Sequence, residues 1–438
     1  MRSEYELSEE FLTSKDDRSE DNHRRNLLQR LFVREGSFGA ILLPILATIT
    51  ALVIGGLILA LSDPEVLAAW VDFFEAPLRA LSLTWQTVRE AYAAMFIGAF
   101  GNPGDMIAAF LAWQETGDTR PMLEAFRALS ESLVTSTPYI FAGLGVALGF
   151  RGGLFNIGAE GQLFVAGLAS AYVGYAISGL PGIIQLPLAF SAGVLAGAFW
   201  GAVPGLLKAY TGAHEVINTI MMNYIAFRLT DYLLSGPMAR PDGLPITPEI
   251  RPTAYLPSLF PRPMRLHLGF FVAIAVAALV YWFLWKTTYG MEIRMVGANP
   301  NASRYAGIRI PLIIFLTMSL SGALSGMAGT VQVLGLDHRM VRAFSTGYGF
   351  DSIALALLGN SHPLGVVLAS LLFGFLNAGA ARMQSVAGVP VELIRIIQGM
   401  IIIFVAAPEI IRSLYRLKAA REEERMLAPS SGLQSKNV

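Results

Sequence analysis

The chain has 438 residues, of which 54% are hydrophobic and only 15% are charged. Soluble globular proteins carry about a quarter charged residues, so this composition excludes a soluble domain and indicates a polytopic membrane protein. Basic and acidic residues both number 32, and the zero net charge gives no support for nucleic-acid binding. The absence of cysteine excludes disulfides and thiolate metal sites.

The N-terminal part of the chain divides into three segments. Residues 1–36 form a mixed-charge tail, and the uncharged run 37–62 is long enough for a first transmembrane helix, since about 20 apolar residues suffice. Residues 63–131 are amphipathic and hold 10 acidic and 4 basic residues. This pattern predicts short helices on the extracytoplasmic face or in the membrane interface, one of which, over 91–101, dips into the membrane.

The remaining apolar runs predict a transmembrane domain over residues 132–412, followed by a charged C-terminal tail over 413–438. Its predicted spans are 132–150, 160–178, 183–205, 216–235, 266–285, 310–336 and 392–412, together with a hairpin of a half-helix and a fuller helix over 352–381. The sequence therefore predicts an all-α membrane protein with about ten transmembrane or half-spanning segments.

Lysine and arginine in short loops predict the orientation. The 286–309 loop is basic, as are both tails, so the loop, the N-terminus and the C-terminus are expected to be cytoplasmic. The acidic 63–131 segment and the proline-rich 236–265 loop then lie on the extracytoplasmic side.

A glycine-rich, polar stretch over residues 149–162 interrupts two apolar runs. It contains Arg151, Asn156, Glu160 and Gln162. Ionisable side chains at membrane depth are costly unless they are paired or face water, and non-helical backbone survives there only where protein or a wet cavity satisfies it. Such interrupted segments are typical of transport sites in carriers. The alternative is a short polar turn between two ordinary helices.

Three local patterns bear on how the spans pack. The stretch 155–159 (Phe-Asn-Ile-Gly-Ala) resembles 350–354 (Phe-Asp-Ser-Ile-Ala), a weak sign of repeated halves. Arg228 and Asp231 are spaced i,i+3 and lie on one helix face, where they can neutralise each other. A stripe of small residues suited to close helix packing comprises Gly322, Ser325, Gly326 and Gly329.

The sequence contains no phosphate-binding loop of the Gly-x-x-x-x-Gly-Lys type and no nucleophile elbow. The five histidines show no metal-ligand spacing and are interpreted as interfacial or loop residues: His23, His214, His267, His338 and His362. We therefore expect a conduit that is not an enzyme and that holds no cofactor of its own.

Three stretches together resemble one family, the integral-membrane permease subunits of ABC importers of the nucleoside and simple-sugar branch. They are 150–162 (Phe-Arg-Gly-Gly-Leu-Phe-Asn-Ile-Gly-Ala-Glu-Gly-Gln), 212–225 (Gly-Ala-His-Glu-Val-Ile-Asn-Thr-Ile-Met-Met-Asn-Tyr-Ile) and 297–308 (Gly-Ala-Asn-Pro-Asn-Ala-Ser-Arg-Tyr-Ala-Gly-Ile). The resemblance covers residues 138–412, although His214 stands where the family pattern has Asn.

The resemblance implies an assembly in the bacterial plasma (inner) membrane. Such permeases pair with a second homologous permease subunit and dock a cytoplasmic ATPase with two nucleotide-binding domains, where ATP is hydrolysed. An extracytoplasmic solute-binding lipoprotein delivers the solute, which the resemblance identifies as a nucleoside, with a simple sugar such as ribose or galactose as the alternative. Membrane lipid surrounds the permease, and no nucleic acid takes part.

Residues 299–307 are predicted to form a coupling helix that enters a cleft on the ATPase. Asn299 is suited to cap this helix, Pro300 to its first turn and Gly307 to its end. Similar permeases carry a Glu-Ala-Ala-like segment here, whereas this chain has Pro-Asn-Ala and lacks the acidic residue. The predicted coupling residues are Asn299, Pro300, Asn301, Ala302, Ser303, Arg304, Tyr305, Ala306 and Gly307.

The candidate residues of the solute path are Phe155, Asn156, Glu160, Gln162 and Asp351. Phenylalanine can stack on a nucleobase, and the amides of Asn and Gln both donate and accept hydrogen bonds. The alternative is that these residues brace the broken helix, with Glu160 capping it or pairing with Arg151.

Two rival classes remain open from sequence. A stand-alone ion- or proton-coupled carrier would use Arg151, Glu160, Arg228 and Asp231 as a relay, but such a carrier has no need of a coupling helix at 297–308. A membrane-embedded enzyme is disfavoured because no catalytic cluster is recognisable.

Overall fold

The computed structural model describes residues 38–415, and the predictions for the tail 1–36 and for the chain beyond residue 415 lie outside this range. Within it the chain is helical, and two isolated antiparallel bridges are its only extended pairings. The all-α prediction is confirmed. The helices are α1 (Phe38–Ser62), α2 (Pro64–Val71), α3 (Pro77–Phe100), α4 (Pro103–Thr116), α5 (Arg120–Ala125), α6 (Arg127–Arg151), α7 (Ala159–Ala176), α8 (Gly182–Thr211), α9 (Glu215–Ser235), α10 (Gly269–Lys286), α11 (Thr288–Ala298), α12 (Pro300–Tyr305), α13 (Ile310–Gln332), α14 (Tyr348–Leu358), α15 (Pro363–Ala387), α16 (Val391–Ala406) and α17 (Pro408–Leu414).

Two compact units divide the chain. The described part of the smaller unit comprises residues 38–55 and 399–415, where the Thr50 and Tyr415 hydroxyls lie 2.9 Å apart. The larger unit comprises residues 56–398 and contains every candidate functional residue in the described chain.

Seven segments in the described chain are long and apolar enough to cross a membrane. They are Ile45–Ser62, Pro77–Thr116, Arg127–Arg151, Gly182–Thr211, Gly269–Lys286, Ile310–Asp337 and Pro363–Ala387. The protein is therefore a multi-pass membrane protein. The apolar helix α14 has 11 residues, which gives about 16 Å and spans only half a bilayer.

Helix α13 is the centre of the larger unit, and its small residues let three helices approach its backbone. Gly322 and Gly326 lie against α8, where a β-carbon on Gly197 would stand 2.6 Å from the Gly322 carbonyl oxygen. Ser325 faces Gly145 of α6, and Gly329 abuts the backbone of α7 at Leu163. The stripe of small residues therefore packs helices closely, as predicted from the sequence.

The packing of the larger unit repeats between two sets of three helices. Helix α8 packs on α13 as α15 packs on α6, and α7 packs on α13 as α14 packs on α6. The paired central helices α6 and α13 also contact each other, as do α7 and α14. The weak sequence echo between 155–159 and 350–354 falls at the starts of α7 and α14 and agrees with this repetition of elements.

The prediction that residues 63–131 form only short helices is wrong for the central part of this segment. Residues Pro77–Phe100 form one helix of 24 residues that packs along α15. Contact is close at Gly98, where a β-carbon would lie 2.6 Å from Cβ of Arg382. The buried face of α3 is built from alanine, so its apolar periodicity is weak in the sequence: Ala80, Ala91, Ala94 and Ala99.

Candidate functional site

The glycine-rich break between α6 and α7 lies inside the helical body. After the end of helix α6, the Leu154 amide donates a hydrogen bond to the Gly149 carbonyl (2.9 Å), and Gly153 has φ +69°. Asn223, which contacts the break, stands eight residues into α9, about 12 Å along that helix. The break is therefore packed against α9 within the helical body. The interrupted membrane segment predicted from the sequence stays a prediction.

Asn156 and Gln162 hold the two sides of the break together. The Asn156 side-chain amide donates to Gln162 Oε1 (3.0 Å) and to Ser321 Oγ on α13 (2.8 Å). Its Oδ1 accepts from the Gly158 amide (2.9 Å). Ser321 in turn donates to the Gly145 carbonyl of α6 (2.7 Å). Asn156, Gln162 and Ser321 are fully buried, and this network joins α6, α7 and α13.

Asn223 satisfies the exposed backbone of the break from α9. Its Oδ1 accepts from the Gly161 amide (2.8 Å), and its Nδ2 donates to the Ile157 carbonyl (2.9 Å). One side chain thus supplies the partners that buried, non-helical backbone requires. The sequence did not predict this role, because Asn223 was considered only as part of a family motif. The feature that could have identified it is a side-chain amide within an apolar run.

Glu160 joins the starts of α7 and α14. Its Oε2 accepts from the backbone amide of Gly349 at 2.6 Å, and the side chain is 3% exposed. Gly349 is the second residue of α14, so the carboxylate lies at the positive end of that helix. The suggested ion pair between Glu160 and Arg151 is wrong, because Arg151 donates instead to the carbonyl oxygens of Asn360 and Ser361.

Asp351 begins a chain of polar side chains across four helices. Its Oδ2 accepts from the Tyr139 hydroxyl (3.0 Å), and the Tyr139 oxygen accepts from Asn377 Nδ2 (3.0 Å). Asn377 Oδ1 then accepts from Gln398 Nε2 (3.2 Å). Tyr139 also packs edge-on against Tyr348 at 4.9 Å. Tyr139 and Asn377 were not predicted from the sequence, because neither lies in a recognisable motif and their contact joins residues 238 positions apart.

Phe155 differs from the other candidates because it is accessible. Its side chain is 38% exposed and lies 4.9 Å from the ring of Phe150. Phe350, at the corresponding position of the sequence echo, is 45% exposed. The structure therefore offers aromatic surface just before α7 and at the start of α14, while Asn156, Glu160 and Gln162 are held in internal hydrogen bonds.

Helix α9 carries charged residues on its exposed side. Arg228 Nη1 lies 3.8 Å from Asp231 Oδ2, so the two are close as predicted, and Arg342 Nε lies 3.6 Å from the other Asp231 oxygen. The Arg228 side chain is 88% exposed. The exposed side of this helix also comprises Ile217, Met221, Tyr224, Ile225 and Tyr232.

The predicted short helix at 299–307 is present as α12. The Asn299 side chain caps it by accepting from the Ala302 amide (3.0 Å), Pro300 is its first residue, and Gly307 at φ +79° follows its end. Ser303 is buried, whereas Tyr305 is 95% exposed. A short, supported helix with a projecting aromatic side chain is suited to enter a groove on another protein.

Comparison with known proteins identifies the family. The family described as "Branched-chain amino acid transport system / permease component" matches residues 128–406, and the chain belongs to it. The protein is thus a permease component with a multi-pass helical fold.

Several curated relatives are permeases of ABC transporters. The guanosine ABC transporter permease protein NupP of Bacillus subtilis is 45% identical over 289 residues, which cover 65% of this chain and 82% of that protein. The glucose permease protein TsgB13 of Haloferax volcanii is 36% identical, with 69% and 82% covered. The nucleoside permease protein NupB of Lactococcus lactis is 34% identical, with 69% and 85% covered. No solved structure is significantly similar to the chain.

Proposed function

We propose that this chain is the permease subunit of an ATP-driven importer that takes up nucleosides across a bacterial plasma membrane. The observation that carries the proposal is the 45% identity to a guanosine permease over 289 residues. The second nucleoside permease, at 34% identity, supports the same solute class. ATP is hydrolysed on a separate ATPase subunit, and this chain supplies the membrane path.

A simple sugar is the second candidate solute, because a glucose permease is 36% identical over a similar share of the chain. Ribose and other sugars share hydroxyl groups with nucleosides but lack the base. The half-exposed rings of Phe155 and Phe350 favour the nucleoside, since aromatic side chains stack on a flat base.

We assign two different roles to the candidate residues at the break. Asn156, Glu160 and Gln162 brace the starts of α7 and α14, because their polar atoms are engaged with protein partners. Phe155 and Asp351 are the residues we assign to the solute path. A permease that receives its solute from a binding protein needs only weak affinity in its channel, so a mainly structural role for the polar cluster is compatible with transport.

Helix α9 is the surface that we assign to the second permease subunit and the shared path. A side chain as exposed as Arg228 is costly in lipid and must face water or protein. Pairing this side with a homologous subunit would cover its apolar residues and enclose the charged cluster in a wet path. An extracytoplasmic solute-binding lipoprotein completes the assembly on the opposite side from α12.

Uptake of labelled solutes tests the proposed substrate. Cells that depend on this transporter should accumulate labelled guanosine or another nucleoside, and excess unlabelled nucleoside should compete. Glucose and ribose should not compete. Competition by the sugars without competition by nucleosides would contradict the nucleoside assignment and support the sugar alternative.

A charge-introducing variant of α12 tests the proposed coupling helix. Ala302→Glu combined with Tyr305→Glu places acidic groups on its exposed side while the Asn299 cap and the buried Ser303 stay intact. We expect solute-stimulated ATPase activity to be lost. Tyr210→Glu, which changes a 78% exposed tyrosine at the end of α8, is the matched control. Unchanged stimulation in the α12 variant, or equal loss in the control, would contradict the assignment.

A further inference from the structure

Arg151 ends α6 and binds a turn that is more than 200 residues away in sequence. Its Nε donates to the Ser361 carbonyl and its Nη2 to the Asn360 carbonyl, both at 2.9 Å. These two hydrogen bonds form a fork that only a guanidinium provides. Helices α14 and α15 also pack along α6 through their other residues.

The bound turn is the C-terminal end of α14. The Ser361 amide donates to the Ala356 carbonyl (2.7 Å) and the Asn360 amide to the Leu357 carbonyl (2.9 Å), so these residues close the last turn of that helix. Asn360 and Ser361 have φ of +50° and +49°, a conformation that is unfavourable for residues other than glycine. The Arg151 charge at the negative end of α14 stabilises this turn.

The same guanidinium faces the corner between α10 and α11. Arg151 Cζ lies 5.5 Å from the Trp285 ring, and Arg294 Cζ of α11 lies 5.7 Å from that ring. Arg294 Nε also donates to the Leu284 carbonyl (3.0 Å). Cation–π contacts of this kind favour arginine and hold the corner against the end of α6.

A backbone contact completes the connection to α12. Gly297 lies directly against residues 151–153, where a β-carbon would stand 2.8 Å from the Gly153 nitrogen. Gly297 is followed within two residues by Asn299, the cap of α12. The main chain that carries α12 is therefore in contact with the end of α6, whose Arg151 holds the end of α14.

We propose that Arg151 is a positioning residue that transmits the displacement of α12 to α14. The route runs from α12 through Gly297 and Arg151 to the turn 359–362. It continues along the half-span α14 to Gly349, which binds Glu160 at the break. A movement of α12 thus reaches the start of α14 through rigid helices, a hydrogen-bonded fork and a backbone contact. This inference rests on the proposed role of α12 in ATPase coupling.

The absence of cysteine allows a direct distance measurement. Tyr305→Cys and Leu357→Cys place spin labels on α12 and α14, at side chains that are 95% and 50% exposed. In the full complex reconstituted in lipid, we expect one narrow distance distribution without nucleotide and again with ATP and vanadate. In Arg151→Gln, α12 and α14 should no longer move together. The distance distribution should therefore broaden or shift when nucleotide is added.

ATPase activity supplies the functional readout. In Arg151→Gln, stimulation by the solute-loaded binding protein should fall by about tenfold, a typical size for a coupling between sites, while basal hydrolysis by the ATPase is retained. Arg151→Lys keeps the charge but not the fork and should restore stimulation only in part. Arg309→Lys, at an exposed arginine before α13, is the control and should behave as the wild type.

A second variant leaves Arg151 in place. Ser361→Gly relieves the unfavourable φ and keeps the carbonyl that Arg151 binds, so it should fold, keep the fork and retain the narrow distance distribution. Narrow, nucleotide-independent distances with full stimulation in Arg151→Gln would overturn the proposal, as would a distribution in Ser361→Gly as broad as that of Arg151→Gln. A wild-type complex whose ATPase ignores the loaded binding protein would instead contradict the proposed function itself.

Discussion

Asn156 and Phe155 are neighbours in sequence, but Asn156 is buried and Phe155 is accessible. Variants of these two residues therefore distinguish a structural role at the break from contact with the solute. Asn156→Ala leaves the Gln162 side chain and the Gly158 amide without their buried partner and removes one of the two hydrogen bonds of the Ser321 hydroxyl. We expect this variant to lower the stability of the folded protein by about 2 kcal/mol, since unsatisfied buried groups are costly. Thermal unfolding in detergent, followed by intrinsic fluorescence, measures the change.

Phe155→Ala is the matched comparison at the accessible ring. It should keep the melting temperature close to that of the wild type and should raise the apparent KM for nucleoside uptake. The division of roles would be wrong if Phe155→Ala unfolds early with normal KM, or if Asn156→Ala is both stable and fully active.

His267 gives the fold a defined pH dependence. It lies before α10, is 1% exposed, and its Nδ1 accepts from the Gly269 amide (3.1 Å). Burial, with a smaller contribution from nearby His338, lowers the pKa of His267 from 6.5 to about 4. The folded state therefore binds fewer protons than the unfolded state. The contribution of neutral His267 to the stability of the folded state is complete above pH 6.5 and is lost as the pH falls from that value toward 4.

The melting temperature should accordingly fall between pH 6.5 and pH 4, with a loss on the order of 3 kcal/mol from this residue. His267→Asn keeps an acceptor for the Gly269 amide but removes the titrating group, so its melting curve should depend less on pH. His214→Asn, at an exposed histidine before α9, is the control. Parallel pH profiles for the wild type and His267→Asn would contradict this explanation.

At the level of helices, the close contact of α3 with α15 is the finding that sequence patterns did not predict. A β-carbon added to Gly98 would stand 3.1 Å from Cα of Gly379 and 2.6 Å from Cβ of Arg382. Gly98→Leu should therefore force the two helices apart and lower the free energy of unfolding by about 1–3 kcal/mol.

Gly399→Leu is the matched control for this prediction, because a β-carbon on Gly399 in α16 has no neighbour within 4 Å. The two variants are compared by thermal unfolding and by the yield of monodisperse protein. Equal stability of the two variants would show that α3 does not pack on α15 as described.

The elements that were predicted correctly carry their signals locally. The cap Asn299, Pro300 and the positive φ of Gly307 define α12 within nine residues, and the glycines of the break mark the end of α6. The partners of Glu160 and Arg151 were not predictable in this way. Each contact joins residues about 200 positions apart through backbone groups, which leave no trace in side-chain spacing.

In the molecule as a whole, the repeated packing gives the polar residues their position. Helices α6 and α13 pair at the centre, and the starts of α7 and α14 meet where Glu160 binds Gly349. Two helix starts with positive ends are thereby held together by one carboxylate inside the helical body. Paired, interrupted helices are common in transporters. The sequence echo indicated the repetition but not which helices contact each other.

Purification of the tagged chain from native membranes in mild detergent, followed by mass spectrometry of its partners, is the decisive experiment for the proposed transporter. We expect an ATPase with two nucleotide-binding domains and a second permease, together with nucleoside uptake that stops when ATP is depleted. A stable complex without an ATPase, and uptake that survives ATP depletion but collapses with the proton gradient, would contradict the proposal and identify a secondary carrier.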